Sequence, residues 1–107
     1  MAQISTTNKK FYWTEHAKEK IKFYQLSANR LKRVLRHPNR VEEGIAEETI
    51  ACMQVAGSKK HPYEIWLMYQ IKPEQITIIS AWRYPGTTKP GDIIPIPENI
   101  RDELKIN

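Results

Sequence analysis

Apolar and polar positions follow two different periods along this chain, and the change between them divides it. Between residues 14 and 38 the period is helical. Ala17, Ile21 and Tyr24 fall at i, i+4 and i+7, one stripe of an amphipathic helix. Thr14 in front of them is a good N-cap, and Glu15 suits the positive end of the helix dipole. Ser27 is a second N-cap, opening a helix whose buried face reads Ala28, Leu31, Val34 and Leu35. Pro38 disfavours helical geometry at His37 and ends that helix. Only Gln25 and Leu26 separate the two, so they form an αα-hairpin. Ahead of them Lys10 to Trp13 is a short β-prone run, expected to be a first strand. Residues 1–8 are polar and expected to fray.

Past residue 48 the period shortens to two. Glu48 to Ala56 reads as a strand, and Gly57 to Pro62 as a loop. Tyr63 to Ile71 is the next strand, with Tyr63, Ile65, Leu67, Tyr69 and Ile71 on one face and Glu64, Trp66, Met68 and Gln70 on the other. Lys72-Pro73-Glu74 is a tight turn. It leads into Gln75 to Pro85, a β-branched and aromatic run whose near-continuous apolar character predicts a central strand buried on both faces. The stretch from Pro85 to Pro97 is too rich in Pro and Gly for regular structure. Pro97 then starts a short final helix. Ile93, Ile94, Ile96, Ile100 and Leu104 are expected to dock this tail on the body. The reading is a single α+β domain over residues 1–107, with a core of about 10–84 and a docked tail of 85–107.

Composition narrows the class. The chain has 107 residues, 40% of them hydrophobic and 27% charged, as expected of a soluble globular domain. No apolar run is long enough to span a bilayer, and the first ten residues lack the apolar core of a secretory signal. Cys52 is the only cysteine, which excludes an internal disulfide and a Cys-based zinc site. These features together predict a cytoplasmic protein that needs no cofactor or metal.

Charge adds a direction. Residues 1–40 hold ten Lys/Arg against two Glu, a balance of +8, whereas residues 41–107 hold seven basic and ten acidic residues, a balance of −3. Such asymmetry points to a polyanion-facing first half, or else to helices with solvated lysine-rich faces. Arg30, Arg33 and His37 share a helical ridge, with Arg36 beside them. Lys59, Lys60 and His61 form a basic loop, suited to phosphate contact or simply to water. Arg83 lies between Trp82 and Tyr84, a setting in which a guanidinium grips phosphate or stacks on a base. The alternative is a strand-end arginine paired with a glutamate. Trp66 and Trp82 read as core or tail-packing residues, and Cys52 as a small buried apolar one.

The order strand, helix, helix and three strands resembles the RelE/ParE toxin superfamily, and within it uncharacterised RelE-like and BrnT-like small proteins. Its carriers are Trp13-Thr14-Glu15-His16-Ala17, the run from Arg30 to Pro38, and Ile78-Ile79-Ser80-Ala81-Trp82-Arg83-Tyr84, similar to the closing strand of BrnT-type toxins but offset by Trp82. The likeness covers about residues 10–84. It implies an αα-hairpin on a small antiparallel sheet of three further strands beyond the short first one, and cleavage of free or ribosome-bound mRNA. The implied partners are RNA and a small acidic antitoxin, with no membrane. By position, the family's Arg and Tyr near the last strand fall on Arg83 and Tyr84. Metal-independent RNA cleavage also needs a group for proton transfer. His16, in the first helical turn where the dipole favours a neutral imidazole, is the candidate base. His16 is equally suited to a hydrogen bond at the sheet edge. A non-catalytic RelE-fold module that binds protein or nucleic acid is the second functional expectation, since ParE-like relatives attack gyrase without RNA chemistry.

Overall fold

The computed structural model describes residues 9–105; the expected frayed start at residues 1–8 lies outside them. Lys10–Trp13 forms β1 and Thr14 closes it, its hydroxyl accepting from the Ala17 amide at 3.1 Å to open α1, Glu15–Phe23. Gln25 then adopts a left-handed backbone, φ 55°, which turns the chain back within a few residues. Ser27 caps α2, Ala28–Arg36, through the Arg30 amide at 3.0 Å. Both caps match the residues that the sequence marks for them. Four strands follow: β2 (Arg40–Glu43), β3 (Ile50–Gly57), β4 (Pro62–Ile71) and β5 (Gln75–Pro85). A short helix α3, Glu98–Glu103, completes the order.

The strands make one five-stranded sheet in the order β1-β5-β4-β3-β2. β1 lies parallel to β5, and every other pairing is antiparallel. This corrects the expected sheet in two respects: four strands follow the first one, not three, and the sheet is mixed. β2 escapes a pattern search because Arg40, Glu42 and Glu43 leave Val41 as its one apolar residue, and an edge strand needs little apolar surface. β5 is an interior strand between β1 and β4, buried on both faces as expected, although β4 holds the middle of the sheet. Its pairing with β4 matches Met68 to Ser80 but Tyr69 to Ile78, leaving Ile79 over as a bulge. That extra residue switches the parity of the strand. Ile76 and Ile78 therefore share a face with Ala81 and Arg83, while Ser80, Trp82 and Tyr84 take the other.

Each face of the sheet carries its own core. Under α1 and α2 lie Ala17, Leu31, Val34, Leu35, Cys52, Ile65, Leu67, Tyr69, Ile76, Ile78 and Ala81. Burial pushes the Cys52 thiol up to about 12, so it packs as an apolar group and offers no nucleophile. On the opposite face Trp66 and Trp82 stack, their ring centroids 6.1 Å apart and their planes 9° from parallel. Ile94 and Ile100 from the tail seal them, with Ile96 and Leu104 alongside. The Trp82 indole also donates to the Pro95 carbonyl at 2.9 Å. The tail therefore docks as expected, except at Ile93, which is 87% exposed. Ala28, expected on the buried face of α2, is exposed as well. Among the described residues no helix is long and apolar enough to cross a membrane.

Candidate nucleic-acid interface

The antiparallel register brings the end of β5, the start of β4 and the end of β3 to one end of the sheet, where Tyr63 faces Pro85 and Gly57 faces Pro62. Gly57 is required there. Its φ is +84°, and a Cβ would sit 2.4 Å from the His61 carbonyl oxygen. The tight connection that results holds Ser58, Lys59, Lys60 and His61 out in solvent, with the His61 amide donating to the Ser58 hydroxyl at 3.1 Å.

Because of the Ile79 bulge, Arg83 projects toward the helices at this same end. Its Nε donates to the Tyr24 carbonyl at 2.7 Å and its Nη2 to the Gln25 carbonyl at 3.1 Å. These carbonyls belong to the C-cap of α1 and the residue after it, where the helix supplies no donors. The guanidinium also lies 4.9 Å from the centroid of the Tyr63 ring. Arg83 is thus neither a free cation nor the partner of a glutamate. Carbonyls position it without neutralising it, and three of its five N–H groups have no acceptor among the described residues.

Arg30 comes to the same place from α2. Its Nη1 donates to the Gln54 side chain, and Gln54 in turn donates to the His37 carbonyl at 2.8 Å and the Arg33 carbonyl at 3.2 Å, closing the end of α2. Partial burial, and then the charges of Arg33 and Arg83, lower the affinity of Arg30 for its proton, while Tyr63 opposes them. Burial is the larger cause, and the two neighbouring guanidinium groups add to it. Among the described residues, no carboxylate pairs with Arg30, Arg33, Arg36 or Arg83. Arg33, Arg36 and His37 are exposed along α2.

Tyr84, next to Arg83, points to the opposite face and packs beside Trp66 and Trp82. The two residues meet again only at the rim of a cavity of about 560 Å³, which opens where β5 ends. Its walls come from Tyr24, Arg83, Tyr84, Pro85, Thr88 and the Asp92–Pro97 segment.

His16 does not join them. Its Nε2 lies 2.9 Å from the Ser80 hydroxyl and its Nδ1 3.3 Å from the Glu103 carboxylate, which Lys20 also holds at 2.7 Å. Burial lowers its pKa below the usual 6.5; Glu103 opposes the shift and Lys20 reinforces it. The order hydroxyl, imidazole, carboxylate is that of a nucleophile, a base and an orienting acid. Ser80, however, has no exposed surface and does not border the cavity, so no substrate reaches it. The chain of bonds ties α1, β5 and α3 together.

A second polar cluster lies within the tail-covered face, unforeseen from the sequence. The Glu64 carboxylate is fully buried and accepts from the Trp66 indole at 2.8 Å and from the Thr88 amide and hydroxyl. Arg40, also buried, donates to the Thr88 hydroxyl at 2.6 Å, to the Asp92 carbonyl and to Glu42 at 2.6 Å. It lies over the Trp66 ring, 5.2 Å from its centroid. Arg40 and the Gly91 amide hold the Glu42 carboxyl below its usual range. Together these hydrogen bonds fix the loop that follows β5. The signal in the sequence was Glu64 itself, a carboxylate on the same strand face as Trp66 and Met68.

No protein-family model, no curated protein and no solved structure matches this chain.

Proposed function

We propose that this protein binds RNA, with a face formed by Arg30, Arg33, Arg36 and His37 of α2, the Lys59–His61 loop and Arg83. One observation carries the reading: Arg30, Arg33 and Arg83 gather at one end of the sheet, and among the described residues no carboxylate pairs with them. Crowding like charges costs stability, and a polyanion relieves that cost by replacing like-charge repulsion with phosphate contacts. The short motifs in residues 10–84 that resemble RelE-like proteins suggest the role of toxin beside a small acidic antitoxin. Binding without cleavage is the form of this reading that we favour. Both ring nitrogens of His16 are engaged, and Arg83 and Tyr84 leave opposite faces of β5.

Fluorescence polarisation of a labelled single-stranded RNA across a salt series tests the binding. The logarithm of the affinity should fall by roughly 0.7 for each phosphate neutralised, per tenfold rise in salt. Affinity that hardly changes between low and physiological salt excludes an electrostatic face. For the toxin role, expression with and without the neighbouring reading frame, read by growth and RNA integrity, separates growth arrest with intact RNA from cleavage.

A further inference from the structure

The cavity at the end of β5 differs in character from the basic ridge. Its polar groups are few and its walls are mostly apolar: the rings of Tyr24 and Tyr84, the prolines Pro85, Pro95 and Pro97, and the aliphatic Ile94 and Ile96. That mixture is typical of sites for small ligands with a flat or apolar body and one charged group. Arg83 supplies the charge. Its guanidinium is fixed by two carbonyls and the Tyr63 ring before any ligand arrives, so little side-chain entropy remains to be lost on binding. The carboxylate of Asp92, the acidic residue of the wall, is engaged within its own loop, where Oδ2 accepts from the Lys89 amide at 2.9 Å. Ile93, 87% exposed, stands at the mouth.

We propose that this cavity holds one nucleotide as a unit, its base against Tyr24 and Tyr84 and its phosphate on the free N–H groups of Arg83. The inference builds on the anion-binding role given to Arg83 above, and adds a ligand that the exposed ridge does not recognise. The Ile93–Pro97 segment forms one wall of the site. The same chemistry is presented by a free nucleoside monophosphate and by an unpaired nucleotide of an RNA strand.

Calorimetric titration of the whole chain with nucleoside 5′-monophosphates, inorganic phosphate and the corresponding nucleosides is the test. A monophosphate should bind at least tenfold more tightly than either fragment. Ile93→Glu, at a position too exposed to matter for folding, should weaken that binding about tenfold, by placing a like charge at the mouth. Tyr84→Leu should weaken it similarly, with the melting temperature recorded as a check on packing. Ile71→Glu, the same change on an exposed residue at the opposite end of β4, should leave it intact. A single-stranded oligonucleotide that competes with the monophosphate identifies the strand as the source of the unit; no competition identifies a free nucleotide. Monophosphate binding no tighter than that of phosphate, or unaffected by Ile93→Glu, overturns the proposal. Salt-dependent RNA binding in that case leaves the ridge standing, whereas monophosphate binding without RNA binding removes the ridge and keeps the cavity.

Discussion

Arg83 caps α1: its Nε lies 2.7 Å from the carbonyl oxygen of Tyr24, 59 residues earlier in the chain. One side chain thus serves both the fold and the candidate site. Arg83→Lys keeps the charge but loses the planar fork that spans the Tyr24 and Gln25 carbonyls and lies over Tyr63. Hydrogen bonds from a charged donor contribute about 1.5–3 kcal/mol, and partial exposure places this loss nearer 1–2 kcal/mol. Urea denaturation should show that loss alongside weaker RNA binding. A variant as stable as the wild type would mean that the cap contributes nothing.

The bond network around His16 gives the fold a dependence on pH. Burial lowers the folded-state pKa of His16 from 6.5, while the unfolded chain retains the ordinary value. Between the two values the unfolded state binds more protons, so stability rises with pH in that window. The contribution of His16 is therefore complete above about 6.5 and is lost as pH falls through the folded value. Glu103, held below its usual carboxylate range first by Lys20, acts in a lower window: its contribution is present above about 4.5 and is lost on further acidification. Denaturation midpoints between pH 8 and 5 should decline for the wild type and stay nearly flat for His16→Gln. Parallel curves for the two proteins would exclude His16 as the titrating group.

Two isoleucines of the tail separate docking from mere hydrophobicity. Ile100 is fully buried against the tryptophan pair, whereas Ile93 stands in water. Ile100→Ala should cost about 2–5 kcal/mol, the range for a large buried aliphatic reduced to a methyl. Ile93→Ala should stay within about 0.5 kcal/mol. Thermal melts of the two single variants check the contrast, and equal losses would mean that the tail is held in another way.

The helices, their caps and four of the five strands were legible: the helices bury one face at regular spacing, and the strands are apolar runs bounded by turns. β2 was not legible, since Arg40 is buried by pairing and stacking and its neighbours are acidic. The Ile79 bulge was hidden too: Ile78 and Ile79 are both apolar, so neither parity stands out, and only the pairing with β4 shows where the face changes. Arg83 stands out in the sequence between Trp82 and Tyr84, but its partners are backbone carbonyls that no composition reveals. The links from Glu64 to Thr88 and from Arg40 to Thr88 span 24 and 48 residues, and local pattern carries no trace of such contacts.

That Glu64 cluster supports the sharpest expectation. The two carboxylate oxygens receive different N–H donors, Oε1 from the Trp66 indole and Oε2 from the Thr88 amide. Glutamine has the same shape but one acceptor oxygen. Whichever way its amide turns, its NH₂ group faces an N–H donor, and one buried donor is left without a partner. The loss of a negative charge also removes compensation from buried Arg40, which reaches Glu64 through the Thr88 hydroxyl. An unsatisfied buried donor costs about 1–3 kcal/mol, and weakened support of a buried cation raises the expected loss for Glu64→Gln to about 2–4 kcal/mol. The damage should concentrate in the loop after β5, so hydrogen exchange at the Thr88 amide should speed up far more than exchange in α2. Stability within about 0.5 kcal/mol of the wild type, with Thr88 still protected, would show that the Glu64 carboxylate is not what holds this loop.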